Sequence, residues 1–265
     1  MPVTFPAHQG LIVGAKLRWP SAVDGTALCI GAAAPDLAYA LGGWLSRNSH
    51  EPVGLLVWAL PFTLLATALT RWRAASGVFA AVPDLGPLAL RSFRVLGARR
   101  PRWTITVVSA VIGVASHVVV DAFTHRGRWG ANALGLNEVI GTVPIIGEMS
   151  GARVLQYVGH TVGSVLFLAA VGVIATTGRL ERWYGHRAVT RARSARFDRR
   201  ITTAFWLVAA TPVVAVIAVT LSRGTSPLFP VVTASAFSLL GTGALFGPLA
   251  AARETQPPGV TSPVS

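Results

Sequence analysis

Residues 104–123 read TITVVSAVIGVASHVVVDAF, an apolar run whose two ionisable residues are His117 and Asp121. A helix rises about 1.5 Å per residue, so a run of this length crosses the ~30 Å hydrocarbon core of a bilayer. Positions 117, 121 and 125 are spaced by four and share one helix face, so His117, Asp121 and His125 form a polar stripe on an apolar span. Ionisable groups at such depth are costly and normally face a cavity or a partner. One stretch therefore points both to a membrane-spanning helix and to the place where its chemistry lies.

The remaining chain agrees with a membrane setting. Its 265 residues are 52% hydrophobic and 12% charged, with mean hydropathy +0.56. Ordinary soluble domains carry about a quarter charged residues. Stretches 53–70, 154–177 and 202–221 qualify as spans beside 104–123. A fifth, 228–250, carries Gly241, Gly243 and Gly247, which permit close helix contact. Pro61 and Pro212 are expected to kink their helices. The start of the chain lacks the charged, apolar and small-residue succession of a signal peptide. Cys29 is the sole cysteine and has no disulfide partner in the chain.

The net charge of +13 is not spread as a nucleic-acid footprint. Arg71, Arg73, Arg91, Arg94, Arg99, Arg100 and Arg102 crowd one loop, 71–102. Arg179, Arg182, Arg187, Arg191, Arg193, Arg196, Arg199 and Arg200 crowd another, 179–200. Between them, loop 124–153 sets Arg126, Arg128 and Arg153 against Glu138 and Glu148. Cytoplasmic loops of membrane proteins collect arginine and lysine, so loops 71–102 and 179–200 read as cytoplasmic and 124–153 as outside. The expected partner is membrane lipid, with no nucleic acid.

Segment 26–45 is long enough to span but holds Pro35 and Asp36 at its middle. A charge there costs about 2.5–3.5 kcal/mol on insertion scales, and proline interrupts the helix. The segment either spans, leaving residues 1–25 cytoplasmic, or is broken or re-entrant, leaving them at the outer interface; the second is the reading adopted. The expected fold is all-α, a polytopic transmembrane helix bundle of about five spans. Residues 1–250 read as one integral membrane domain, and 251–265 as a disordered tail.

Imidazole and carboxylate groups together suit zinc, iron or manganese. The stripe on 104–125 alone leaves a metal site and a self-satisfied hydrogen-bond network both open. His50, just before span 53–70, lies at the same membrane face, and His8 and Asp36 join it if 26–45 does not span. Gln156 and His160, four apart on the outer half of span 154–177, either fix a ligand's tautomer from behind or pack the bundle. His186 reads as solvated and Pro83-Asp84 as a turn. Phosphate loops, nucleophile elbows, the His-Glu-x-x-His pair and aspartate-rich diphosphate motifs do not occur in the sequence.

These motifs, taken in order, carry a resemblance. Met1-Pro2-Val3-Thr4-Phe5-Pro6-Ala7-His8, Gly31-Ala32-Ala33-Ala34-Pro35-Asp36, Ser49-His50, Ser116-His117 with Asp121-Ala122-Phe123-Thr124-His125, and Leu155-Gln156-Tyr157 resemble the bacterial membrane family called domain of unknown function 4184. Their order is similar to that of inner-membrane metal-dependent hydrolases, and more distantly to zinc-dependent phospholipase C. The resemblance implies His8, Asp36, His50, His117 and Asp121 as ligands of a divalent metal, with zinc the expected ion. It gives His125 as a ligand or acid–base group. Glu51 follows His50 where that pattern has a small hydroxyl residue, and the full histidine set of a trinuclear zinc centre is missing.

The expected function is a metal-dependent hydrolase acting on a lipid or lipid phosphoester near the outer leaflet, with Asp36 or His125 as proton acceptor. Trp129 and Val143-Pro144-Ile145-Ile146 on loop 124–153 are placed to cover the site and touch lipid. Alternatives are a non-catalytic assembly protein with a structural His/Asp cluster, and a lyase or cyclase on an isoprenoid diphosphate. Transport lacks the support of an inverted repeat.

Overall fold

The computed structural model describes residues 5–98, 100–144, 147–226 and 228–254. It is an all-α polytopic bundle. Four short helices come first: α1 (Ala7–Arg18), α2 (Gly25–Gly31), α3 (Ala34–Leu37) and α4 (Gly43–Asn48). Next come two long ones, α5 (Pro52–Ala81) and α6 (Trp103–Thr124). Helix α7 (Trp129–Ala133) and an antiparallel pair, β1 (Val139–Val143) and β2 (Gly147–Ser150), precede α8 (Gly151–Thr176). Then follow α9 (Arg179–Tyr184), α10 (His186–Ser194), α11 (Arg199–Ser222) and α12 (Leu228–Glu254).

Among the described residues five helices are long and apolar enough to cross a membrane: α5, α6, α8, α11 and α12, with mean hydropathy 1.6 to 2.3. Helix α11 is the most apolar, yet only 11% of its apolar window is buried. So much exposed hydrocarbon suits lipid and not water. The chain is a multi-pass membrane protein by these lengths and compositions.

Segment 26–45 is broken, as expected, and the reason is local. Pro35 has no N–H to continue the ladder of α2, so the chain stops at Gly31 and restarts with Pro35 in the first turn of α3. Asp24 fixes the front of α2. Its Oδ1 accepts from the backbone N–H groups of Thr26 (3.1 Å) and Ala27 (3.2 Å), and its Oδ2 accepts from the Thr106 hydroxyl of α6. Helix α2 then lies directly on α6. A Cβ on Gly31 would stand 2.8 Å from the Ala110 carbonyl oxygen, and one on Gly113 2.4 Å from that of Leu28. Neither position tolerates a side chain without separating the helices.

Two expected boundaries shift. The loop 71–102 begins later than expected, because α5 runs on to Ala81 through a π turn at Thr70–Ala74. At about 1.5 Å per residue the helix is longer than a bilayer core, so Arg71 and Arg73 can stay helical beyond it. Pro61 is accommodated by a second π turn, Leu55–Ala59, immediately before it; such wide turns are a common answer to a missing backbone donor. At the other end α12 continues through 251–254, four residues that read as tail, while 255–265 lie outside the described residues. The hairpin β1–β2 within loop 124–153 is an addition to the all-α expectation.

The chain forms two compact units. One comprises Met1–Thr67, Pro101–Val171 and Ser226–Thr233. The other comprises Ala68–Arg100, Gly172–Thr225 and Ala234–Ser265. The second has its own core of Ala80, Ala81, Phe197, Phe205, Ala209 and Ala250. There Gly243 and Gly247 meet the backbone carbonyls of Ala74 and Arg73, so two of the three expected glycines do serve a close helix crossing. Arg94 is buried and donates to the carbonyls of Ala192 (2.7 Å) and Ala195 (3.2 Å), capping the end of α10. Every candidate site residue belongs to the first unit.

Candidate metal centre

Three separated stretches deliver four ligand groups to one point. Asp36 comes from α3, His50 from the turn before α5, and His117 and Asp121 from successive turns of α6. One atom from each lies within 4.8 Å of the others. His50 Nε2 stands 3.2 Å from Asp36 Oδ1 and 3.4 Å from Asp121 Oδ2. His117 Nε2 stands 3.5 Å from those same two oxygens. The two Nε2 atoms are themselves 3.1 Å apart.

The far side of each ring is held. His117, fully buried, places Nδ1 2.9 Å from the Ala32 carbonyl oxygen. A carbonyl only accepts, so Nδ1 carries a proton, and Nε2 is the nitrogen that faces the cluster. The Ala32 oxygen is available because the helix breaks there. His50 Nδ1 lies 2.9 Å from Ser49 Oγ and 3.5 Å from the Tyr39 hydroxyl. Two imidazole nitrogens and two carboxylates thus converge in a buried space. Such a set needs positive charge at its centre, as protons or as a metal ion. Backbone and hydroxyl groups behind metal-binding histidines do what Ala32 and Ser49 do here. The residues fit a divalent cation, and the mixed nitrogen and oxygen donors are those of zinc, iron or manganese sites.

His8, His125, Gln156 and His160 gather around this core. His8 stacks on His117 with ring centroids 4.2 Å apart, and its Nε2 is 3.5 Å from Asp121 Oδ1. Burial, then the neighbouring His117, pushes the His8 ring down to about 3, so it is neutral at ordinary pH. His50, by contrast, is pushed down by burial but raised further by its contacts with Asp121 and Asp36, and ends above the usual imidazole range. His125 Nδ1 is 3.4 Å from Asp121 Oδ1, and its Nε2 is 2.7 Å from the Gln156 amide nitrogen. His125 is open to water, with 38% of its side chain exposed, whereas His8 and Gln156 are buried. His160 approaches His8 edge-on, with ring centroids 6.2 Å apart.

The chemistry-bearing residues anticipated from the sequence therefore come together, His160 at the periphery. Tyr39 and Ser49 also bear on the site through His50. Gln9, beside His8, is buried with neither amide atom hydrogen-bonded among the described residues. Ser49 sits within a quoted motif, whereas nothing in the spacing of Tyr39 or Gln9 marks them. Asp84, read as a turn residue, is more than that, because it binds Arg91 through both the backbone and the guanidinium.

The family model described as Domain of unknown function (DUF4184) matches residues 1–252. The chain belongs to that family. The match reaches beyond the ordered motifs to nearly the end of α12. No curated protein and no solved structure matches the chain. What this DUF4184 protein does must therefore be argued from its own site.

Proposed function

We propose that the protein is a membrane-embedded, metal-dependent hydrolase acting on a lipid or lipid phosphoester. One observation carries the reading: Asp36, His50, His117 and Asp121, drawn from three separate segments, present ligand atoms within 4.8 Å of one another. A bound divalent cation, with zinc favoured by the donor set, would polarise the scissile group and lower the pKa of a bound water toward 7.

The chain's own groups supply the rest. Ala32 and Ser49 hold the His117 and His50 rings so that their Nε2 atoms face the centre. Asp36 or His125 is the proton acceptor, and the exposure of His125 gives it an outlet to water. Gln156 fixes the His125 ring from its other edge. A lipid substrate is supported by what surrounds this end of the helices. The segment between α6 and α8 exposes Trp129 at 61% and Ile140 at 69%, side chains suited to the headgroup boundary. The arginine-rich loops read as cytoplasmic, which supports an outer-face position for the centre.

Metal analysis of the detergent-purified protein tests this. Near-stoichiometric metal is expected, and its loss in the His117→Ala, Asp121→Ala double variant. Phosphatidylglycerol in mixed micelles should then release a water-soluble product only with the metal-loaded wild type. Absence of metal from the wild type refutes the metal centre. Metal without turnover of phospholipid micelles would leave the cluster a structural staple between α3 and α6, a reading that the His117–Ala32 contact favours.

A further inference from the structure

The two oxygens of Asp121 serve different neighbours. Oδ2 lies 3.4 Å from His50 Nε2 and 3.5 Å from His117 Nε2, within the group that Asp36 completes. Oδ1 has His8 Nε2 at 3.5 Å and His125 Nδ1 at 3.4 Å. This oxygen is buried, yet among the described residues it has no hydrogen bond, although two imidazole nitrogens approach it. His8 Nδ1 is buried without a hydrogen-bond partner as well. Burying such groups unpaired is costly, and native sites rarely leave them so without an ion, a water or a ligand to receive them. Gln156 completes the picture behind His125. Turned so that its amide oxygen accepts from Nε2–H, it leaves the Nδ1 lone pair facing Asp121.

We infer that Asp121 bridges two divalent cations, one held with Asp36, His50 and His117, the other with His8 and His125. The inference rests on the metal-dependent reading above and deepens it. It makes His125 a ligand and leaves Asp36 as the proton acceptor. It also narrows the substrate class. Paired cations stabilise the attacking and leaving oxygens of an in-line displacement together, which favours a phosphoester over a carboxylic ester.

The test uses Mn2+ as the probe on the full-length protein in detergent, stripped with a chelator and refilled. Two Mn2+ per chain are expected, with an exchange-coupled electron paramagnetic resonance spectrum from ions sharing a carboxylate. The His8→Ala, His125→Ala variant should hold one Mn2+ with an uncoupled spectrum, and the milder His8→Gln, His125→Gln pair should do the same. One Mn2+ per chain in the wild type, unchanged by either pair, overturns the second site and leaves the first intact. No Mn2+ in the wild type overturns both. The wild-type stoichiometry and coupling need no variant to fold, so the outcome does not hinge on the stability of a substituted protein.

Discussion

Ser49 is fully buried and places its hydroxyl 2.9 Å from His50 Nδ1. Removing it leaves the ligands in place but frees one ring to turn. Ser49→Ala should therefore weaken metal affinity by about 10- to 100-fold while leaving the stoichiometry at saturating metal unchanged. Competition with a chromophoric chelator measures this, and an unaltered affinity would show that Ser49 does not orient the ring. A second residue-scale prediction concerns Asp84. Burial pushes its carboxyl up, but hydrogen bonds from Arg91 and the charges of Arg91 and Arg193 outweigh that and hold it below its ordinary 3.8. The folded state thus favours the carboxylate. Its contribution is whole above pH 3.8 and is lost as pH falls through the lower folded value. Asp84→Asn should cost on the order of 1 kcal/mol near neutral pH, with the gap to wild type closing on acidification. A thermal melt series in detergent reads the gap, and one that is flat with pH would assign the effect to packing.

At the scale of elements, the contact of α2 with α6 sets the site, because it carries the Ala32 carbonyl to His117. Gly113 permits it, with room for no more than a hydrogen beside the Leu28 carbonyl. Gly113→Ala should force the helices apart, costing about 1–3 kcal/mol, and should release metal by loosening Asp36 and Ala32. Gly159→Ala on α8 is the matched control, since a Cβ there meets nothing within 4 Å. Equal metal content in both variants would disprove the coupling. This scale also shows how far the sequence could be read. His117 and Asp121 were legible because their spacing of four is local geometry, and the break in 26–45 because Pro35 forbids the ladder. The meeting of Tyr39 with His50 is tertiary and leaves no periodic mark. The extension of α5 through Arg71 and Arg73 also escaped, since charged residues end a hydropathic span without ending a helix. The hairpin β1–β2 escaped because a short exposed strand with Gly141 in it lacks the alternation that marks a half-buried one.

For the whole molecule, the question is which side of the membrane each end faces. His50 precedes α5, while Asp121 and His125 close α6 and Gln156 opens α8. Three successive spans that alternate in direction bring these positions to one face. The arginine content of 82–102 and 177–198 favours the cytoplasm for those segments, so we propose the outer side for this face. Cys29, the native thiol, is partly exposed, so single cysteines are read on a Cys29→Ser background. Glu138→Cys, exposed beside the hairpin, should be labelled in intact cells by an impermeant maleimide. Thr190→Cys, exposed on α10, should be labelled only after permeabilisation. The reverse pattern would turn the protein over and put the metal centre at the inner leaflet, so that its lipid substrate would have to be sought there. Labelling of both without permeabilisation would break the alternation of α6 and α8, and with it the reason that His50, Asp121 and Gln156 share a membrane face.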